Sequence, residues 1–215
     1  MFLQINGIRA EICRKRGQKF LVKGINDKAV KCFRKALQLS ENTENIFNLG
    51  LGLLSQMQLK EAEEYLSKVA GEFPENAISG LAYFEALILQ EKWQAAIDQI
   101  AVMLGYEPEN KRYLQILQIA DDVVQREKYR NVKILSHQAF ELMKQQKYTE
   151  ALKQYEQALK FLPDDVELLN NIGYLYLKQR NYMLAYSYFE KALLLEPENR
   201  KLRQNMALVR NKLRK

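Results

Sequence analysis

The chain has 215 residues, of which 47% are hydrophobic and 27% charged, and its formal net charge is +7. It contains only 9 glycines and 4 prolines beside many helix-forming residues, which indicates a mostly helical globular protein. No run of 18 or more apolar residues occurs, so the sequence predicts no transmembrane helix.

Positive charge is concentrated at the two ends of the chain. Residues 1–42 contain ten Lys and Arg against three Asp and Glu, and residues 200–215 contain seven basic residues and no acid. Residues 43–199 carry sixteen basic and twenty-three acidic residues. The basic ends fit either solvated helix faces or contact with an acidic partner, RNA or a membrane surface.

The first residues do not have the order of a secretory signal. A short apolar start precedes the charged residues, whereas a signal places its basic residues first. Cys13 and Cys32 are not spaced as a CxxC pair, and we expect two free thiols. These features lead us to expect a cytoplasmic protein.

Prolines and alanines recur at fixed intervals along the chain. The four prolines lie at positions 74, 108, 163 and 197, so the intervals between them are 34, 55 and 34 residues. An alanine lies twelve residues before each proline, and a further copy without a proline lies 33 residues earlier: Ala29, Ala62, Ala96, Ala151 and Ala185. Such regular spacing indicates internal repeats.

Each repeat has the pattern of a helical hairpin. In the last copy Ile172 and Tyr176 lie on one apolar helix face, and Ala185 and Phe189 lie on the facing one. A small residue such as Gly173 allows close approach where the two helices cross. One hairpin cannot bury its outer faces alone, so successive hairpins are expected to stack into a solenoid.

The segment LNNIGYLYLKQRNYMLAYSYFEKALLLEP resembles the tetratricopeptide repeat. The predicted repeats are 10–42, 43–76, 77–110, 132–165 and 166–199. The resemblance implies an all-α fold, a right-handed α-solenoid of tetratricopeptide helical hairpins. In the third copy Phe84 replaces the small residue at the helix crossing, so this hairpin is expected to open or to repack.

The interval between Pro108 and Pro163 exceeds one repeat by the 21 residues of segment 111–131. This segment fits one helix and no second. Because no Gly or Pro interrupts it, 111–145 is either one long helix of about 50 Å or it contains an extra helix that ends near 126–130. Either arrangement alters the alternation of first and second helices.

The predicted organisation has four parts. They are an N-terminal block of three repeats (1–110), a linking helix (111–131), a C-terminal block of two repeats (132–199) and a basic capping helix (200–215). The capping helix has one apolar face, made of Leu202, Met206, Leu208 and Val209, which is expected to cover the last repeat.

The sequence contains no enzyme motif. His137 has no nucleophile placed beside it, and a metal site needs more ligands than this histidine and Glu141. Asp121 and Asp122 are adjacent, so on a helix they point about 100° apart, and a solvated face is the better interpretation. We expect a non-enzymatic protein with no cofactor and no metal.

In tetratricopeptide proteins the first helix of each hairpin lines a concave groove, and the resemblance places candidate partner-binding residues there. They are Arg14, Phe47, Asn48, Leu51, Leu81, Glu85, His137, Phe140, Asn170, Asn171 and Tyr174. Asn48 and Asn171 are the most suggestive, because an amide both donates to and accepts from a peptide backbone. Ile78 and Ala82 stand where a chaperone-binding subset of the family has cations, so a carboxylate clamp is not expected.

The N-terminal part of this groove is expected to be apolar, and its lining residues are Phe47, Leu51, Leu81 and Ile88. Such a surface suits an amphipathic helix or an extended peptide of a partner protein. The leading hypothesis is therefore a non-enzymatic protein–protein interaction scaffold. The alternatives are a nucleic-acid or anionic-surface binder that uses the basic ends, and a self-assembling module. Nucleic acid is not expected as the main partner, and membrane contact has no support beyond the basic ends.

Overall fold

The computed structural model describes residues 2–214, with side chains from residue 5 onward. The described residues form α-helices and no β-strand. In chain order the helices are α1 (Phe2–Val22), α2 (Asn26–Leu39), α3 (Thr43–Ser55), α4 (Leu59–Glu72), α5 (Ala77–Leu89), α6 (Trp93–Tyr106), α7 (Lys111–Asp121), α8 (Val123–Lys144), α9 (Tyr148–Phe161), α10 (Val166–Lys178), α11 (Tyr182–Leu195) and α12 (Arg200–Leu213). The prediction of an all-α solenoid of helical hairpins is confirmed.

The chain divides into two compact units, which we call unit 1 (Met1–Arg126) and unit 2 (Glu127–Lys215). In unit 1 the hairpins α1–α2, α3–α4 and α5–α6 pack in succession, and α7 packs against α6. In unit 2 α9 packs against α10, α10 pairs with α11, and α12 packs against α11. The boundary between the units falls inside α8, and not at either end of the predicted linking segment.

Capping side chains set where several of the helices begin. Oδ1 of Asn76 accepts hydrogen bonds from the backbone N–H groups of Ile78 and Ser79, at 3.0 and 3.3 Å. The same role falls to Asn42, Asn110, Asp165 and Asn199. Because proline cannot continue a helix and the residue that follows it closely caps the next one, the proline-containing stretches separate successive hairpins.

The turn inside each hairpin contains one residue in the left-handed backbone conformation. In the first hairpin this residue is a glycine, Gly24, with φ of 72°. In the other four it is Met57, Glu91, Gln146 and Arg180, with φ of 57°, 63°, 62° and 62°. For a residue with a Cβ this conformation costs about 1–2 kcal/mol, so these four turns hold local strain that the first does not.

Glycines at helix crossings allow the two helices of a hairpin to touch. A Cβ on Gly173 would lie 2.8 Å from Cε1 of Phe189, and a Cβ on Gly50 would lie 2.8 Å from Cγ of Leu66. Phe189 and Leu66 are both fully buried. The small residues that mark the repeat in the sequence therefore have a packing function.

The third hairpin repacks around Phe84, which is one of the two outcomes expected from its sequence. Phe84 is buried, with 3% of its surface exposed. The two helices of this hairpin approach most closely at Gly80, one helical turn before Phe84. A Cβ on Gly80 would lie 2.8 Å from Sδ of Met103. A glycine four residues earlier thus compensates for the phenyl ring.

Segment 111–131 is not one helix. The long single helix is wrong, and the extra helix of the second alternative is present as α7 but ends at Asp121 and not near 126–130. Asp122 has an extended backbone, with φ of −111° and ψ of 120°, and separates α7 from α8. Its carboxylate accepts hydrogen bonds from the N–H groups of Val124 and Gln125, at 2.7 and 3.2 Å. Asp122 is therefore the N-cap of α8 and not part of a solvated helix face. α8 continues through the rest of the segment into the fourth hairpin.

The last helix, α12, covers the end of unit 2 as predicted. Leu202, Met206 and Val209 are buried in one cluster with Leu169 and Phe189. Leu208, which the sequence places on the same face, is instead 46% exposed. The apolar stripe of the capping helix is thus narrower than its spacing suggests.

Candidate partner-binding site

Six of the candidate residues lie on the first helices of the hairpins in unit 1. Arg14 is on α1, Phe47, Asn48 and Leu51 are on α3, and Leu81 and Glu85 are on α5. α1 contacts α3 and α3 contacts α5, so these helices form one layer. We call its outward surface the unit-1 face.

Polar groups on the unit-1 face connect α1 to α3. The guanidinium of Arg14 is ion-paired with Glu44. Nε2 of Gln18 donates a hydrogen bond to Oδ1 of Asn48 at 3.0 Å, and Nδ2 of Asn48 donates to the backbone carbonyl of Glu44 at 2.7 Å. Asn48 is 8% exposed. Its carboxamide is therefore engaged within the fold, which differs from the expectation that it meets a partner's backbone.

The apolar part of the unit-1 face lies on α3 and α5. Phe47 and Leu51 on α3 and Leu81 on α5 are partly exposed. Ile78, in the first turn of α5, is 69% exposed. Ile88 is fully buried, so its predicted place in the groove lining is wrong. The accessible apolar surface of α5 thus lies in the N-terminal half of that helix.

The remaining candidates lie on two helices of unit 2. His137 and Phe140 are on α8, and Asn170, Asn171 and Tyr174 are on α10. Phe140 is 45% exposed, while His137, Asn171 and Tyr174 are partly exposed. In contrast, Asn170 is 6% exposed.

A side-chain amide pair connects α10 to the capping helix. Oδ1 of Asn170 accepts a hydrogen bond from Nδ2 of Asn205 on α12, at 2.8 Å. This pair has the same role in unit 2 as the pair of Gln18 and Asn48 in unit 1. Asn170, like Asn48, is therefore a structural residue, and Asn171 is the more accessible amide of the two neighbours.

Lysines outside the predicted candidate set stand over the aromatic candidates of unit 2. Nζ of Lys144 lies 4.8 Å from the ring centroid of Phe140, and Nζ of Lys178 lies 5.0 Å from that of Tyr174. A hydrogen bond with the Tyr174 hydroxyl raises the pKa of Lys178. Each lysine follows its aromatic residue by four positions, so this spacing on a helix is the signal that could have found them.

Tyr176 and Tyr188 form a second aromatic pair in unit 2. Their ring centroids are 5.6 Å apart, and the hydroxyl of Tyr176 donates a hydrogen bond to Oε1 of Glu156 at 3.1 Å. Burial, followed by this hydrogen bond, raises the pKa of Tyr176 to about 12. The two rings pack on each other and Tyr176 is hydrogen-bonded to Glu156, so both tyrosines contribute to the framework of the unit.

The described residues contain neither a metal-binding cluster nor a helix that could span a membrane. No group of three or more His, Cys, Asp or Glu side chains is placed to hold a metal ion within residues 5–214. None of the helices in the described part of the chain has the length and apolar character that a bilayer span requires.

Comparison with known proteins gives a family and a set of similar structures. The TPR repeat model matches residues 141–179, and the tetratricopeptide repeat model matches residues 166–199. No curated protein sequence matches the chain. The structure of MamA from Desulfovibrio magneticus RS-1, from residue 41 to its end, is 13% identical, with 89% of this chain and 97% of that chain covered and a TM-score of 0.46. TTC0263, a thermophilic TPR protein of Thermus thermophilus, is 17% identical, with 93% and 98% covered and a TM-score of 0.45.

The matched residues include the hairpin α10–α11. Gly173, Ala185 and Pro197 there occupy the glycine, alanine and proline positions of the repeat. The same arrangement of caps, turns and helix crossings recurs in the hairpins before it. Residues 141–199 of the chain therefore belong to the tetratricopeptide repeat family.

Proposed function

We propose that this protein is a non-enzymatic scaffold that binds a partner protein on its unit-1 face. The tetratricopeptide fold is that of a protein–protein interaction scaffold. One observation carries the choice of surface, namely that four apolar side chains on adjacent helices are at least partly exposed there: Phe47, Leu51, Ile78 and Leu81.

The arrangement of these side chains favours a helical partner. Phe47 and Leu51 are four residues apart on α3, and Ile78 and Leu81 are three apart on α5, so each pair lies along one side of its helix. Two such rows on contacting helices match the apolar stripe of an amphipathic helix, whose side chains recur at the same spacing.

The polar side of the unit-1 face holds the helices in place for this contact. Arg14 is ion-paired with Glu44, and the side chain of Arg14 is only 15% exposed. A cation engaged in this way does not capture a free carboxylate, which agrees with the absence of a carboxylate clamp in the sequence pattern. Specificity would then depend on the fit of apolar side chains.

Nothing in the unit-1 face has the composition of a catalytic site. Its polar members are one arginine, two glutamates and two amides, and catalysis by a nucleophile requires a base beside the attacking group. Binding without chemistry is the function that this surface supports best.

The test is a binding measurement on an exposed member of the face. Amphipathic helical peptides are selected from a display library on the unaltered protein, and their affinities are measured by fluorescence anisotropy. Ile78→Lys places a charge in the apolar contact, and we expect at least a tenfold loss of affinity. Because Ile78 is 69% exposed, this change leaves the core untouched.

A matched control distinguishes the face from a general effect of added charge. Met183 on α11 is also 69% exposed and lies in unit 2. Met183→Lys should leave peptide affinity unchanged. Equal affinity of the peptides for the unaltered protein and for the Ile78→Lys protein, or a selection that yields no binder, would overturn the proposal.

A further inference from the structure

The exposed side of α1 carries a row of large apolar residues. Ile5, Ile8 and Ile12 are 48%, 61% and 61% exposed. Their spacing of three and four residues places them in one line along the N-terminal half of the helix. Single exposed apolar residues are ordinary, but a contiguous row of them marks a surface that contacts another molecule.

The same side of α1 becomes cationic in its C-terminal half. Lys15, Arg16 and Lys19 are exposed, and at 100° per residue they continue the line of the isoleucines. Glu11 is the only acidic residue in the sequence of this helix, and it is ion-paired with Lys15 at 2.6 Å. The combined surface is therefore apolar and positively charged.

Contacts with Phe20 extend the positive charge onto α2. The guanidinium of Arg16 lies 5.6 Å from the ring centroid of Phe20, and Nζ of Lys28 on α2 lies 5.9 Å from it. Phe20 thus gathers two cations from neighbouring helices at one end of the surface. The opposite side of α1 is occupied by packing on α2, where a Cβ on Gly17 would lie 2.5 Å from Cε1 of Phe33.

We propose that this side of α1 docks on an anionic phospholipid bilayer. The surface, which we call the α1 face, consists of Ile5, Ile8, Ile12, Lys15, Arg16 and Lys19. The isoleucines enter the boundary between headgroups and acyl chains, and the cations contact lipid phosphates. Charge complementarity and an apolar row on the same helix face are together the requirements for interfacial binding of a helix.

The charge distribution along α1 disfavours a second copy of the chain as the occupant. If two α1 faces met in parallel, the cations of Lys15, Arg16 and Lys19 would oppose one another. If they met antiparallel, the isoleucine half of one helix would lie against the cationic half of the other. The parallel pairing buries the apolar row only together with this repulsion between cations, and the antiparallel pairing leaves the row without an apolar partner.

A nucleic acid is disfavoured for a different reason. Phosphates would match Lys15, Arg16 and Lys19, but they would leave the exposed isoleucines against a polar backbone. A bilayer interface offers partners to both halves of the surface, since apolar chains and anionic headgroups lie within a few ångströms of each other. The apolar row therefore decides in favour of lipid.

The experiment measures co-sedimentation of the full chain with vesicles. Vesicles of phosphatidylcholine containing about 30% phosphatidylglycerol are compared with vesicles of phosphatidylcholine alone. We expect binding to the anionic vesicles and little to the neutral ones, because each Lys or Arg near an anionic surface contributes roughly a fivefold gain in affinity.

Two pairs of variants locate the contact. Ile8→Ser with Ile12→Ser removes half-exposed apolar groups without touching the core, and we expect at least a tenfold loss of vesicle binding. Arg16→Gln with Lys19→Gln should reduce binding by about 25-fold. The controls are Leu194→Ser with Met183→Ser, whose residues are 77% and 69% exposed, and Lys201→Gln with Lys212→Gln on α12.

Each outcome has a definite meaning. Loss of binding in the α1 variants, with unchanged binding in the controls and unchanged helicity by circular dichroism, supports the proposal. Equal binding to neutral vesicles, equal loss in the α12 variants, or retention of binding by the Ile8 and Ile12 variant overturns it. Displacement of the protein from vesicles by RNA, with RNA binding insensitive to the isoleucine changes, would assign the cations to nucleic acid and also overturn it.

Discussion

Nε2 of Gln18 donates a hydrogen bond to Oδ1 of Asn48 over 3.0 Å, and this contact joins the first helices of two successive hairpins. Asn170 and Asn205 make the corresponding contact in unit 2, over 2.8 Å. In both places two side-chain amides connect helices that are two apart in chain order, α1 with α3 and α10 with α12.

Removing the donor of this pair should destabilise unit 1. Gln18→Met keeps the side-chain volume but leaves the buried carbonyl of Asn48 without its donor, which costs about 1–2 kcal/mol. Urea unfolding followed by circular dichroism measures the loss. Gln38→Met, at an exposed position of α2, is the control and should change the stability by less than about 0.5 kcal/mol. Equal effects of the two changes would contradict a role for the pair.

A methyl group at the crossing of α10 and α11 should be poorly tolerated. Gly173→Ala places a Cβ 2.8 Å from Cε1 of Phe189, so we expect the free energy of unfolding to fall by about 1–3 kcal/mol. Gly71→Ala is the opposite case, because nothing lies within 4 Å of a Cβ there. It should raise helix stability by up to about 1 kcal/mol. Thermal unfolding of both variants tests whether Gly173→Ala lowers the stability and Gly71→Ala raises it.

Replacing a strained turn residue by glycine should stabilise the protein. Arg180 has φ of 62°, and Arg180→Gly relieves a conformation that L residues avoid. The larger freedom of glycine in the unfolded chain offsets part of the gain, which leaves up to about 1 kcal/mol. Gly24→Ala, at φ of 72°, should lose a similar amount. A higher unfolding midpoint for the alanine variant would be incompatible with this account.

Loss of the cap at the start of α8 should appear as faster amide exchange. In Asp122→Ala the N–H groups of Val124 and Gln125 lose their acceptor, and the cap contributes about 1 kcal/mol. Hydrogen exchange at these two amides should accelerate about fivefold. Asp122→Asn, which retains an acceptor oxygen, should restore most of the protection, and identical exchange in all three proteins would refute the assignment.

High pH should weaken unit 2 through Tyr176. Its pKa is raised to about 12, first by burial and then by the hydrogen bond to Glu156. The stabilisation from this group is complete below the unfolded-state pKa near 10 and is lost as the pH rises through about 12. The urea midpoint should therefore fall between pH 10 and 12, and the fall should be smaller in Tyr176→Phe. A titration of absorbance at 295 nm follows the phenolate directly.

The regular spacing of Ala62, Ala96 and the prolines was enough to predict the hairpins, because each of those residues acts on the helix or turn that contains it. The break at Asp122 was missed because an aspartate inside an apolar-periodic segment reads equally well as a surface residue. Only its extended backbone and its two accepted hydrogen bonds distinguish a cap.

The candidate site was predicted less well than the fold. Membership of a first helix was enough to predict that Phe47 and Leu51 lie on the same side of α3, since that depends on helical spacing alone. Whether Asn48 faces a partner or a neighbouring helix depends on Gln18, thirty residues away in sequence, and no local pattern reports that distance. Ile88 was misplaced for a similar reason, because its burial depends on the packing around α5.

The residues in the left-handed turns offer attachment points for spectroscopic labels. Met57 and Glu91 in unit 1, and Gln146 and Arg180 in unit 2, are exposed and already carry a side chain at positive φ. A labelled cysteine at any of these positions adopts the same positive φ that the native residue already has, so little stability is lost. Two labels are placed in one unit. Cys13 and Cys32 would first be replaced to make the labelling selective. Distances between the two labels of a unit would then report directly whether its hairpins spread or close when a partner binds.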